Sequence, residues 1–155
     1  MKRLAVFFSI CLFAIGAFAQ DVDPKIFRDH AMQIAKHPKI TKTFSMIDEQ
    51  QNFYLYVDVT AFDEFYLKEP IEDQGFKLFL WKAGEIGFYN VEQFVTLVTL
   101  MQPKDNQVIY EFISQVDQKR FLVQTLFTKQ GEDWQLTALK RTRIKMAKTC
   151  KFPKL

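Results

Sequence analysis

Tyr54, Tyr56 and Asp58 are the residues of this chain whose types and spacing best suit chemistry. Side chains two apart on an extended strand share a face, so these three line up on one side. A carboxylate beside two phenols in an apolar cavity can act as a general base, with the phenols donating hydrogen bonds to an enolate. Burial raises a carboxyl pKa towards the range such a base needs. That would make the chain an isomerase or hydrolase acting on a small apolar molecule, with Asp58 as base. The plainer reading is an amphipathic strand with its wetter face in solvent, and it is the one expected here.

Other reactive residue types are sparse. His30 and His37 are the only histidines, and seven positions on one helix set them two turns apart, too far to share a metal. His30 falls on an apolar helix face and is expected as a partly buried packing residue. His37 is expected as a charge near a helix C-terminus. The acidic groups Asp48-Glu49, Asp63-Glu64 and Glu69-Glu72-Asp73 lack the alternating oxygen ligands and central glycine of a calcium loop, so no metal is expected. No nucleophile motif, zinc cluster or phosphate-binding glycine loop occurs, and no cofactor is implied.

The first twenty residues give an address. Lys2 and Arg3 precede an almost unbroken apolar run from Leu4 to Phe18, and Ala17-Phe18-Ala19 has small residues where a signal peptidase needs them. We expect residues 1–19 to be a cleaved leader, with export to the periplasm in a bacterium or secretion otherwise, and no transmembrane span in the mature chain. Removing 19 of 155 residues leaves 136, a size that folds without cross-links. Cys11 leaves with the leader. Ile10 before it and Leu12-Phe13 after it do not fit a lipidation site. Cys150 is then alone and forms no internal disulfide.

Charge is unevenly placed. Losing Lys2 and Arg3 takes the net charge from +3 to +1. Seven cations and no acid lie from Lys140 onward, so the body from Gln20 to Leu139 carries −6. An acidic body with a basic tail suits an acidic partner: a protein, an envelope polymer or an anionic lipid surface. Lys145, Lys148, Lys151 and Lys154 are the candidate binding residues, and neutralising them should weaken such binding and flatten its salt dependence. Lys140, Arg141 and Arg143 belong to the last strand, where charge also guards an exposed edge. Nothing in the sequence suits nucleic acid.

The elements that must position these residues follow from periodicity. Asp23-Pro24 reads as a cap and first helical residue, and Ile26, Phe27, His30, Ala31 and Ile34 give one apolar face to a helix from Pro24 to about Lys36. Lys39 to Gln51 fits either a short second helix or an irregular strand. Strands are expected over Phe53–Val59, Phe76–Lys82, Phe94–Met101, Val108–Val116, Phe121–Lys129 and Trp134–Ile144. The third has a helical alternative capped by Asn90. Ala61 to Leu67 reads as a helical turn, Lys68 to Gly75 as a loop and Ala83 to Gly87 as a turn. Short loops between successive strands imply antiparallel neighbours. The fold class is therefore α+β: an N-terminal helix packed on a curved antiparallel sheet of about five to six strands, forming one domain over residues 20–144, with a basic tail over 145–155.

The run Phe121-Leu122-Val123-Gln124-Thr125-Leu126-Phe127-Thr128-Lys129, the turn Gln130-Gly131-Glu132-Asp133 and the return Trp134-Gln135-Leu136 resemble the closing hairpin of the exported nuclear-transport-factor-2-like proteins. The resemblance implies a helix-lined cone with a curved sheet around an apolar cavity. That fold hosts enzymes, ligand binders and assembly domains alike, so it leaves activity open. The function expected is an exported, non-enzymatic binding or interaction domain, an accessory or inhibitor-type protein, with an acidic partner or a small apolar ligand.

Overall fold

The computed structural model describes residues 22–44, 46–116 and 119–144. The leader read at Met1–Ala19, Cys150 and the tail cations Lys145, Lys148, Lys151 and Lys154 lie outside them. The chain forms helix α1 (Pro24–Lys36), a short helix α2 (Pro38–Thr41) and strand β1 (Phe53–Asp58). A 3-10 turn (Asp63–Phe65), β2 (Ile71–Asp73), β3 (Phe76–Trp81) and helix α3 (Ala83–Phe88) follow. The meander β4 (Phe94–Lys104), β5 (Gln107–Val116), β6 (Lys119–Gln130) and β7 (Asp133–Ile144) closes the described chain.

All seven strands join one open, curved sheet in the order β2-β3-β1-β4-β5-β6-β7. The α+β class and the antiparallel meander are as expected. Three points differ. β1 pairs in parallel with both β3 and β4. The chain between β1 and β3 is long enough to cross back, so the short loops that impose antiparallel neighbours elsewhere do not apply to this pair. The described residues hold seven strands because the expected loop from Lys68 to Gly75 contains β2. There Gln74 (φ 46°) and Gly75 (φ 81°) supply the two left-handed residues of a tight hairpin between Asp73 and Phe76. The expected turn at Ala83–Gly87 is α3, whose first turn is closed by the Glu85 carboxylate accepting from the Lys82 N–H at 3.2 Å. Its two glycines read as a turn in sequence. Asn90 ends this helix at φ 53° instead of starting another, and the segment after it is strand.

α1 begins where its cap predicts, with Asp23 Oδ1 accepting from Lys25 N at 2.7 Å. Its buried face (Phe27, His30, Ala31, Ile34) packs on one face of the sheet. Phe27 stacks on Phe65 with centroids 4.0 Å apart and meets Tyr110 edge-on at 5.4 Å. Leu55, Val57, Leu78, Leu80, Leu97, Val108, Phe112, Val123 and Phe127 complete the core. Packed rings thus fill the centre of this layer, while an open cleft of about 680 Å3 remains between α1 and the β6–β7 hairpin, bordered by His30, Gln33, Lys129 and Trp134.

Candidate functional site

A proline places two lysines beside the end of the sheet. Pro38 starts α2 directly after α1, because the residue before a proline leaves the helical region. His37 bridges the two helices. Its Nδ1 accepts from Lys39 N at 3.2 Å, and burial together with the nearby Lys39 charge lowers its pKa. His37 is therefore a neutral cap on α2, a correction to the charged role expected of it. Lys39 and Lys42, three apart, sit on one side of this single turn.

Opposite them runs β7. Lys39 Nζ donates to the Leu139 carbonyl at 2.8 Å. The Arg141 guanidinium donates to Thr43 Oγ1 and lies 4.6 Å from the centre of the Phe121 ring. Lys39, Lys42, Leu139, Lys140 and Arg141 together line an open cleft of about 530 Å3. The ion pairs among the described residues are Lys36–Asp73, Lys77–Glu72 and Lys82–Asp63, so none of the four cations of the cleft is neutralised by one of them. Four cations around one open concavity raise the local concentration of anions. Lys140 and Arg141 were visible in sequence as part of the basic end. Lys39 and Lys42 were missed, because about a hundred positions separate them from β7 and no local pattern reports that contact.

Tyr54, Tyr56 and Asp58 do share the outer face of β1, away from α1, but their polar atoms have separate partners. The Tyr54 hydroxyl donates to Asp48, which also accepts from Asn52 N at 2.7 Å and Asn52 Nδ2 at 2.8 Å. Desolvation opposes ionisation of Asp48, yet these hydrogen bonds outweigh it and hold the carboxyl down at about 2. The bond to Asp48, then desolvation, pushes Tyr54 up to about 12. Tyr56 stacks on Phe79 at 4.5 Å and meets Trp81 at 5.2 Å, and burial raises its pKa. Trp81 in turn reaches the exposed Tyr89 at 5.1 Å, so the outer face carries a run of rings.

Asp58 is buried and closes a turn. Its Oδ1 accepts from Thr60 N at 2.9 Å and Thr60 Oγ1 at 2.6 Å, while Thr96 Oγ1 approaches Oδ2 at 3.4 Å. It borders an open groove with Ile86, Asn90, Phe94 and Thr96, and neither tyrosine lines that groove.

His30 is wholly buried rather than partly so. Its Nδ1 is 2.8 Å from the Tyr110 hydroxyl and its ring stacks on Phe127 at 3.9 Å. Burial lowers its pKa to about 4 and raises that of Tyr110. Nε2 has no hydrogen-bond partner among the described residues. Among the described residues no helix is long and apolar enough to cross a membrane, and no group of His, Cys, Asp or Glu side chains is arranged to hold a metal.

Comparison with protein-family models, curated proteins and solved structures finds no match to the chain.

Proposed function

We propose that the chain is an exported, non-enzymatic interaction domain that holds an acidic partner at its basic end. One observation carries this reading: α2, the turn after it and β7 bring Lys39, Lys42, Lys140 and Arg141 around one cleft, and none is in an ion pair with a described carboxylate. In sequence, β7 is followed by Lys145, Lys148, Lys151 and Lys154, which add four further cations to the basic end of the chain. The cleft between α1 and the β6–β7 hairpin is open and bordered by Lys25, Asp29, Lys129 and Glu132, which favours interaction over the enclosed apolar cavity of the nuclear-transport-factor-2-like cone. Asp58 supports this reading more than the catalytic one, because Thr60 and Thr96 occupy its oxygens and Tyr54 donates elsewhere.

Poly-L-glutamate is a defined acidic probe. The full mature chain should bind it at low ionic strength. K39Q/K42Q/K140Q/R141Q should bind about ten-fold weaker or worse, since each exposed pair contributes up to ~1 kcal/mol. Unchanged affinity in that variant would remove the cleft from the function. Export is tested by the mass of natively produced protein, which should begin at Gln20.

A further inference from the structure

The free edge of the sheet deepens this reading and rests on it. β7 ends the strand order, so one row of its backbone groups points away from β6. The first half of that row is already covered. Gln33 donates from Nε2 to the Trp134 carbonyl at 2.9 Å and accepts at Oε1 from Leu136 N at 3.0 Å. Its amide thus stands in for one peptide unit of a neighbouring strand.

A bulge then changes which residues face outward. Phe127 pairs with Leu136 but Leu126 pairs with Ala138, leaving Thr137 as an extra residue in β7. One extra residue inverts the alternation of the ladder. Trp134 and Leu136 face the edge before the bulge, and Leu139, Arg141 and Arg143 face it afterwards. Lys39 Nζ covers the Leu139 carbonyl, as this parity requires. The N–H and C=O groups of Arg141 and Arg143 lie beyond, with no hydrogen-bonding partner among the described residues.

We propose that this stretch accepts an acidic, extended segment of a partner protein as an added strand, held by the free peptide groups of Arg141 and Arg143. Charge selects the occupant. Lys39, Lys42, Lys140, Arg141 and Arg143 flank the open edge, and Lys140 projects on the opposite sheet face from its two arginine neighbours. Acidic side chains on either face of an incoming strand therefore meet a cation. A second copy of β7 would set like charges against one another, which destabilises strand pairing. Added strands draw affinity from main-chain bonds and specificity from the flanking side chains.

The test uses the full mature chain and a blocked peptide of about six residues alternating glutamate and valine, beside the same peptide N-methylated at every amide. Both carry the same charge, and only the first can complete a ladder. The unmethylated peptide should bind at least about ten-fold more tightly, the equivalent of one or two strand hydrogen bonds. R143P should weaken it further than R143Q, because only proline also removes the outward N–H, and an edge strand tolerates that change. Equal binding of the two peptides, or equal effects of R143P and R143Q, would overturn the added strand while leaving poly-L-glutamate binding intact. Loss of poly-L-glutamate binding itself would instead sink the parent reading.

Discussion

His30 makes stability depend on pH in a direction and window that follow from its surroundings. The folded ring has a pKa of about 4 against an ordinary value of 6.5, because burial among Tyr110, Phe127 and Trp134 disfavours the imidazolium. At ~1.4 kcal/mol for each pKa unit, the gap corresponds to about 3 kcal/mol in favour of the neutral ring. Between 6.5 and about 4 the unfolded chain binds the proton and the folded chain does not. The contribution of His30 is therefore fully present above 6.5 and is lost as the pH falls to about 4. The perturbation is pH, measured against His30→Leu as the reference. Urea unfolding followed by Trp81 and Trp134 fluorescence gives stability at each pH. His37 and the carboxylates titrate in both proteins, so the difference between the two profiles isolates His30. That difference should shrink by about 3 kcal/mol from pH 7 to about pH 4. Parallel profiles would refute the argument, because they would mean that the buried ring titrates as it does in the unfolded chain.

Gln33→Ala uncovers the β7 edge at Trp134 and Leu136 and should cost about 1 kcal/mol in urea unfolding, with more aggregation visible by light scattering. Phe27→Ala should cost about 3–5 kcal/mol, since it removes a buried ring stacked on Phe65 and touching Tyr110; a cost under about 1 kcal/mol would contradict this packing. Tyr54→Phe should raise the Asp48 pKa from about 2 towards 3.8, read by NMR titration of that carboxyl, and no movement would show that the phenol does not hold it. Asp58→Asn should leave poly-L-glutamate binding unchanged, because Asp58 does not line the basic cleft.

Local signals carried most of the fold. Asp23-Pro24 marked the start of α1 and His37-Pro38 its end, and the alternation of Phe53, Leu55 and Val57 marked β1. What sequence could not show depends on contacts distant along the chain. β1 lies between β3 and β4 through backbone pairing of residues about twenty to forty positions apart, a choice no local pattern encodes. α3 was hidden by Gly84 and Gly87, whose low helix propensity is offset by Glu85 reaching back to Lys82. The tyrosines and Asp58 were correctly placed on one face, but spacing says nothing about partners such as Asp48 and Thr60. For the basic end, composition located Lys140 and Arg141, while Lys39 and Lys42 emerged only when Pro38 turned the chain against β7.

The most direct test is the affinity of the full chain for poly-L-glutamate, measured at about 20 mM and about 300 mM NaCl, where exposed charges pass from weakly to strongly screened. K39Q/K42Q/K140Q/R141Q and a variant with Lys145, Lys148, Lys151 and Lys154 changed to glutamine are measured beside it. Salt should weaken binding by the native chain, and both variants should bind more weakly with a flatter salt response. A cleft variant that matches the native chain at both salt concentrations would contradict the role of the cleft.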